Sequence, residues 1–287
     1  MNGIPRSMQA SAGMWRAAKI LSNGGNKNLT DKDLEYFRNW FLGFCRTYYL
    51  EDRLEQLNIA LKEEHSFRVA DNATAIATGE SISADECLIA EIAALLHDIG
   101  RFPQYAKYRT FLDSASENHG QLGAETLTSL SVLSALSQKE SELIIDAVRF
   151  HNAFLVPERS DPDATRLIKL VRDADKIDIW RVVCDFYECS GERAAAVSLG
   201  LPDLPHYSKD VIAAIMDRKV AKLANVKTVT DLKLLHLSWV FDLNYRSSFR
   251  LVDKKGSLRR MAGVLPGTDD VFRAVSVVQE YVSEKAV

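Results

Sequence analysis

Apolar side chains recur every three or four residues along most of the chain, which is the spacing that one face of an α-helix requires. An aromatic-rich series of this kind comprises Leu34, Phe37, Phe41, Phe44 and Tyr48. A second series comprises Leu54, Leu57, Leu61, His65 and Val69. The second series predicts a helix that continues to about Thr78, where Gly79 provides a C-terminal cap.

Helix-start signals stand in front of several of the predicted helices. In four places a Ser or Thr is followed three residues later by an acidic residue, namely Thr30 and Asp33, Ser83 and Glu86, Ser137 and Glu140, and Thr228 and Asp231. Such pairs satisfy free backbone N–H groups in the first helical turn. Asp161-Pro162 predicts one more start, with proline at the first helical position. No segment shows a clear period of two, so the predicted fold class is all-α.

Breaks in this pattern divide the chain into three predicted parts. Residues 1–28 are rich in Asn, Gly and Ser and show little periodicity beyond a short helix from Met14 to Leu21. Residues 29–200 form the predicted helical core. The stretch from Gly200 to Pro205 interrupts it. Residues 201–287 are predicted to form a C-terminal helical extension that packs on the same core.

The charge balance excludes some classes of partner. The chain has 36 Lys and Arg residues against 39 Asp and Glu, a net charge of −3, with no run of five basic residues. Nucleic acid held mainly through its backbone charge is therefore not expected. The most apolar segment, Leu88 to Leu96, contains Glu91 and is shorter than the ~18 residues of a membrane span. Since the N-terminus lacks the pattern of a signal peptide, the sequence predicts a cytoplasmic protein without membrane contact.

Histidines and acidic residues mark successive predicted helices. They are His65, His97, Asp98, His119, His151 and Asp175, and they include four of the six histidines. A His-Asp pair on its own carries little weight, because chance supplies about half of one in a chain of this composition. His65 and Asp175 carry more, because each falls among apolar residues that point inward. A buried imidazole or carboxylate needs a hydrogen bond or a metal ion.

This set resembles that of the HD-domain superfamily of metal-dependent phosphohydrolases, in its two-metal form. The resemblance covers roughly residues 60–185 and lies in His65, His97-Asp98-Ile99-Gly100-Arg101 and Ala174-Asp175-Lys176. It implies an HD-type helical bundle with a binuclear site of two divalent metal ions, which Asp98 bridges. One ion is held further by His65, His97 and Asp175, and the other by His119 and His151. Mixed imidazole and carboxylate ligands suit Mn, Fe, Co, Ni or Zn, and Mg stays open as well.

The resemblance also implies a reaction, the hydrolysis of a small phosphate ester or a nucleotide by a metal-activated water. Asp98 and Arg101 are the expected catalytic residues. Arg101 and Lys176 are expected to bind the substrate phosphate, because each stands close in sequence to a ligand. Lys176 also belongs to a row of basic residues whose ordinary explanation is a solvated helix face, namely Arg166, Lys169, Arg172 and Lys176. The sequence has no GxSxG or P-loop motif for covalent or Walker-type chemistry.

Other functions are compatible with the same ligands. Some proteins of this superfamily hold two irons for oxygenation, and a nucleotide-sensing regulatory module is a third option. The Gly-Tyr-Pro signature of its cyclic-di-GMP phosphodiesterases is missing, and Asn152-Ala153 follows His151 instead. The aromatic series near the start suits either the core or a homodimer contact.

Four further residues are expected outside the ligand set. His206 and His236 are expected to be structural residues. Asp173 and Asp178 are expected either to support the ligands from the second layer of the site or to lie at the surface.

Overall fold

A computed structural model describes residues 29–158, 161–188 and 200–287 of the chain. Every regular element in these residues is helical, which confirms the predicted all-α fold class. The α-helices are α1 (Asp31–Arg46), α2 (Arg53–Gly79), α3 (Ala84–Leu96), α4 (Arg101–Tyr108), α5 (His119–Ser129), α6 (Gln138–Phe150), α7 (Pro162–Glu188), α8 (Lys209–Met216), α9 (Val229–Ser238), α10 (Arg246–Lys255), α11 (Ser257–Gly263) and α12 (Asp269–Ala286). The helix predicted from Met14 to Leu21 lies outside the described residues.

The predicted start signals coincide with observed helix starts. The hydroxyl oxygen of Ser83 accepts a hydrogen bond from the backbone N–H of Glu86 at 3.4 Å, directly before α3. Ser137 accepts one from Glu140 at 3.3 Å, directly before α6. α7 begins at Pro162, as predicted. These local signals depend only on residues within one turn of each other, which is why the sequence reveals them.

The chain divides into two compact units. Among the described residues, one comprises those up to Thr74 together with those from Ile82 to Val171, and the other comprises Ala75–Ser81 and those after Val171. Two long helices, α2 and α7, each contribute to both units. The domain boundaries predicted after residues 28 and 200 stay a prediction.

The core of the first unit contains the aromatic face of α1. Phe37 and Phe41 are 1% and 0% exposed. The ring of Phe41 lies edge-on to those of Phe67 and Phe102, with centroids 5.6 and 5.9 Å apart. α1 packs on α3, α3 on α6, and α6 on α5. These rings therefore belong to the core of this unit, and a homodimer contact stays a prediction.

Two glycines allow α5 to approach its neighbours closely. Gly100 lies in the turn between α3, which ends at Leu96, and α4, and its φ of −66° is an ordinary right-handed value. Space is the reason for this glycine, because a Cβ here would lie 2.1 Å from the backbone oxygen of His119. A Cβ on Gly123 would likewise lie 2.9 Å from the side chain of Val148. Because neither glycine has a side chain, the start of α5 can lie against the turn after α3.

The second unit has its own core. α8 and α10 pack against α12, and α9 packs against α8 and α11. The fully buried indole of Trp180 donates its N–H to the backbone oxygen of His236 at 2.7 Å. The buried carboxylate of Asp173 accepts from the backbone N–H of Asn244 at 2.8 Å and from the hydroxyl of Ser248 at 2.7 Å. These bonds connect α7 to the later helices of this unit. None of the helices in the described residues has the length and apolar character of a membrane span.

Gly100→Ala tests the close approach in the first unit. We expect it to lower the free energy of unfolding by at least about 3 kcal/mol, because the new methyl group meets backbone that has little room to move. Gly263→Ala is the control, since a Cβ on Gly263 meets nothing within 4 Å. We expect that control to change stability by less than about 1 kcal/mol. Urea unfolding curves measure both, and equal effects would contradict the packing argument.

His236 predicts how stability depends on pH. Burial lowers the pKa of His236 from 6.5 to about 4, and its Nδ1 has no hydrogen-bond partner in the described part of the chain. Between these values the unfolded chain binds a proton that the folded chain does not, so the free energy of unfolding falls as the pH drops from 6.5 to 4. His236→Gln should flatten this slope in urea titrations across that range. The exposed His206→Gln is the control, and an equally steep slope in His236→Gln would contradict the prediction.

Candidate metal centre

Five of the six predicted metal ligands lie in the first unit. His65 lies within α2, His97 is the C-cap of α3, and Asp98 follows in the turn before α4. His119 is the first residue of α5, and His151 is the C-cap of α6. All five residues are buried, and none is more than 4% exposed.

The carboxylate of Asp98 lies between two pairs of imidazoles. Its Oδ2 is 3.8 Å from Nε2 of His65 and 3.7 Å from Nε2 of His97. Its Oδ1 is 3.4 Å from Nε2 of His119 and 3.7 Å from Nε2 of His151. Each pair forms a group of three with Asp98, in which one ligand atom of every residue lies within 4.8 Å of the others. One carboxylate oxygen thus faces each group.

Backbone carbonyls determine the tautomers of two of these histidines. Nδ1 of His97 lies 2.7 Å from the backbone oxygen of Ala94, and Nδ1 of His151 lies 2.7 Å from that of Val148. Because a carbonyl oxygen only accepts, each Nδ1 carries the ring proton. Nε2 then presents its lone pair to the cluster, as metal coordination requires.

His119 is held by a carboxylate instead. Its Nδ1 lies 2.7 and 2.9 Å from the two oxygens of Asp113, and its Nε2 lies 3.0 Å from Nε2 of His151. Two unprotonated nitrogens at this distance repel each other unless a cation lies between them. This separation is short enough for both nitrogens to bind one ion at a metal–nitrogen distance of about 2.1 Å. Burial, followed by the charge of Arg101, lowers the pKa of His119 to about 3, which favours the neutral ring.

Lys62 is a site residue that the sequence analysis missed. Its ammonium group donates to Oδ2 of Asp98 at 2.7 Å, and Nε of Arg101 lies 3.4 Å from Oδ1. Burial by itself would raise the pKa of Asp98, but the surrounding cations, Lys62 first, hold that pKa well below its usual value. Lys62 precedes His65 by three residues, so both share one face of α2. That spacing was the available sequence signal.

Asp113 is a second site residue that the sequence analysis missed. Its Oδ1 accepts from Nη1 of Arg101 and from Nε2 of Gln104, both at 2.9 Å, and its Oδ2 accepts from Nδ2 of Asn152 at 3.2 Å. Arg101 is therefore anchored beside the cluster, while its predicted roles in catalysis and substrate binding stay predictions. Asp113 lies in the loop between α4 and α5, where no periodic pattern identifies it.

The remaining predicted ligand, Asp175, is half-buried on α7 and belongs to the second unit. Its coordination of an ion stays a prediction. On the same helix, Lys176 and Arg172 both pair with Oδ2 of Asp242, at 2.8 and 2.7 Å. The explanation of this basic row as a solvated face is wrong at these two residues, which are 9% and 6% exposed. Their charges are buried because one carboxylate compensates both. Substrate binding by Lys176 stays a prediction.

The other acidic and histidine residues singled out in the sequence lie in the second unit. Asp173 and Asp178 are buried, which excludes the surface alternative for both. Asp178 accepts from Nε of Arg181 at 2.8 Å. His206 is exposed, and His236 is buried with its ring 4.6 Å from that of Trp239. Neither histidine belongs to a metal-binding group of the described residues.

The donor set of the first unit fits divalent transition metals. It combines neutral imidazole nitrogens with one carboxylate, whereas Ca²⁺ prefers sites built entirely from oxygen. In His97, His119 and His151 the acceptor at Nδ1 leaves Nε2 turned toward Asp98 and available to a metal ion.

One comparison with known protein families covers the segment that contains this centre. Residues 63–180 match the HD domain family, and this range includes all six predicted ligands. A search of curated proteins gives no match. Among solved structures, a chain from an uncultured Thermotogales bacterium, described as a predicted HD superfamily hydrolase, is 26% identical. The match covers 54% of the present chain and 78% of the other, with a TM-score of 0.35.

Asp98→Asn tests whether this cluster binds metal. The variant keeps the shape of the side chain but removes the negative charge that faces both imidazole pairs. We expect the affinity for Mn²⁺ or Zn²⁺ to fall at least ~100-fold, because even residues that only orient ligands change affinity by 10–100-fold. Calorimetric titration measures the change.

The matched control for this variant is Asp71→Asn, which alters an exposed carboxylate of the same unit. Far-UV circular dichroism verifies that both variants keep their helices. If Asp98→Asn binds metal as tightly as the unmodified protein, the metal site lies elsewhere.

Proposed function

We propose that this chain, which belongs to the HD-domain superfamily through its residues 63–180, is a metal-dependent hydrolase that cleaves a small phosphate ester or a nucleotide. The observation that carries the proposal is the position of Asp98. Each of its two oxygens faces a separate pair of imidazoles, at 3.4 to 3.8 Å. A bridging carboxylate with separate ligands on either side is the arrangement that two neighbouring cations require.

The residues divide between two ions in this proposal. His65 and His97 would hold one ion, His119 and His151 would hold the other, and Asp98 would bind both; Asp175 stays the further ligand that the sequence predicts. The ions would supply a water of lowered pKa and would neutralise charge on the phosphoryl oxygens. The protein contributes the fixed orientation of the imidazoles, since carbonyl or carboxylate acceptors hold three of the Nδ1 atoms.

Two cations of the first unit support a phosphate substrate. Lys62 and Arg101 both lie beside Asp98, and both lie near the ring of Phe111, with their charged groups 5.5 and 5.9 Å from its centroid. The half-buried Arg101 is held in place by Asp113, and a fixed guanidinium suits the oxygens of a phosphate. Lys62 adds a compact charge on a flexible stem. Together they extend the positive region beyond the ions themselves.

A substrate screen tests the reaction. The full chain is loaded with Mn²⁺, Ni²⁺ or Mg²⁺ and incubated with phosphomonoesters, cyclic nucleotides and nucleoside polyphosphates. We expect release of phosphate or of a nucleoside product with at least one of these substrates, and no release by Asp98→Asn. Iron in the purified protein with substrate-dependent oxygen uptake would favour the oxygenase alternative. Nucleotide binding without any turnover would favour the sensory module.

Lys62→Met tests the role of Lys62 in binding the substrate phosphate. We expect KM to rise roughly 10-fold to 100-fold, because a hydrogen bond between charged groups contributes about 1.5–3 kcal/mol. Metal binding should not weaken, because the variant removes a cation that competes for Oδ2 of Asp98. The control is Lys139→Met, which alters an exposed ion pair in the same unit. An unchanged KM, or a loss of metal, would contradict this role.

A further inference from the structure

His119 differs from the two neighbouring histidines in how its ring is oriented. His97 and His151 each end a helix, so Nδ1 of each reaches the carbonyl three residues earlier in that same helix. His119 begins α5, and no helical turn precedes it. A ligand histidine at a helix start therefore needs an acceptor from another segment.

Asp113 supplies that acceptor from the loop between α4 and α5. Both of its oxygens lie within 2.9 Å of Nδ1 of His119. The carboxylate is itself held from two other directions, by Arg101 and Gln104 on its Oδ1 and by Asn152 on its Oδ2. Asn152 directly follows His151, so the same carboxylate is connected to both histidines on the Oδ1 side of Asp98.

The charge of this acceptor matters as well as its position. Besides His119, its oxygens face only donors, which are the guanidinium of Arg101 and the amide nitrogens of Gln104 and Asn152. An ionised carboxylate only accepts, so it leaves the ring proton on Nδ1 and the lone pair on Nε2. It also increases the basicity of Nε2 more than a neutral carbonyl does.

We propose that Asp113 is the positioning residue for the ion held by His119, His151 and Oδ1 of Asp98. This inference rests on the two-ion site of the proposed function. Binding of this ion therefore depends on the loop of residues 109–118. Binding of the other ion, beside His65 and His97, does not involve that loop.

Asp113→Asn is the variant that separates charge from shape. Oδ1 of Asp113 accepts from the guanidinium of Arg101 and the amide nitrogen of Gln104, both at 2.9 Å, whereas Oδ2 accepts from the amide nitrogen of Asn152 at 3.2 Å. Since more and shorter donors face the Oδ1 side, we expect the oxygen of an introduced amide there and its NH₂ group at the former Oδ2, 2.7 Å from Nδ1 of His119. The NH₂ group can only donate. We therefore expect the proton of His119 to move from Nδ1 to Nε2.

The tautomer is measured on the full, metal-free chain. Long-range ¹H–¹⁵N correlation spectra of ¹⁵N-histidine-labelled protein distinguish a proton on Nδ1 from one on Nε2. We expect Nδ1–H for His119 in the unmodified protein and in Asp71→Asn, and Nε2–H in Asp113→Asn. Asp113→Glu, which keeps a carboxylate, should return the proton to Nδ1. An unchanged tautomer in Asp113→Asn overturns the proposal.

Titration with Mn²⁺ or Zn²⁺ then measures the effect on the ions. We expect the unmodified chain and Asp71→Asn to bind two ions. In Asp113→Asn one of the two sites should weaken about 10-fold to 100-fold, the size expected for a residue that orients a ligand, while the other keeps its affinity. Asp113→Glu should recover part of the loss.

The two proposals fail in different ways. If the unmodified chain binds a single ion, the two-ion form of the proposed function is wrong. If it binds two, and Asp113→Asn either keeps both at full affinity or loses both equally, the role of Asp113 is wrong while the proposed function stands. Circular dichroism and the spectra of the other histidines show whether each variant is folded.

Discussion

The burial of Asp98 among imidazoles is the electrostatic constraint on which the first unit depends. A carboxylate removed from water costs several kcal/mol unless other charges compensate it. Here Lys62 and Arg101 provide part of that compensation. Nε2 of His119 and Nε2 of His151 lie 3.4 and 3.7 Å from Oδ1 of Asp98, and 3.0 Å from each other. A cation between these nitrogens and the carboxylate would attract all three groups, so metal binding would make this geometry more favourable.

The ends of helices orient the histidines that surround Asp98. His97 and His151 each follow the last turn of a helix, where a carbonyl of that turn fixes the ring. His119 stands at a helix start and takes its acceptor from a loop. The approach of α5 to the turn before α4 depends on Gly100, since any larger residue would collide with the backbone at His119. Secondary structure thus orients two ligands directly, whereas loop and packing contacts orient the third.

In both units, buried charges have partners of opposite charge or hydrogen-bond donors, but the consequences differ. In the second unit, Asp242 pairs with Arg172 and Lys176, and the carboxylate of Asp173 is satisfied by backbone and side-chain donors. Those charges are neutralised within the protein. Around Asp98, cations of the protein meet imidazoles that can bind a metal. The first unit therefore offers a place for an external cation, which is why the proposed hydrolytic site is centred on Asp98.

The sequence by itself determined the all-α fold, most helix starts and the set of histidines at helix ends, because caps, periodicity and the His-Asp pair depend on residues close together in the chain. It did not reveal Asp113 or the reason for Gly100. Both act across separate segments, through a loop carboxylate that reaches His119 and through backbone that passes within contact distance. The three-residue spacing of Lys62 and His65 can be read from the sequence, but the ion pair between Lys62 and Asp98 cannot. Only the tertiary structure decided which oxygen of Asp98 faces which pair of imidazoles, because that choice depends on the packing of four helices and on no local pattern.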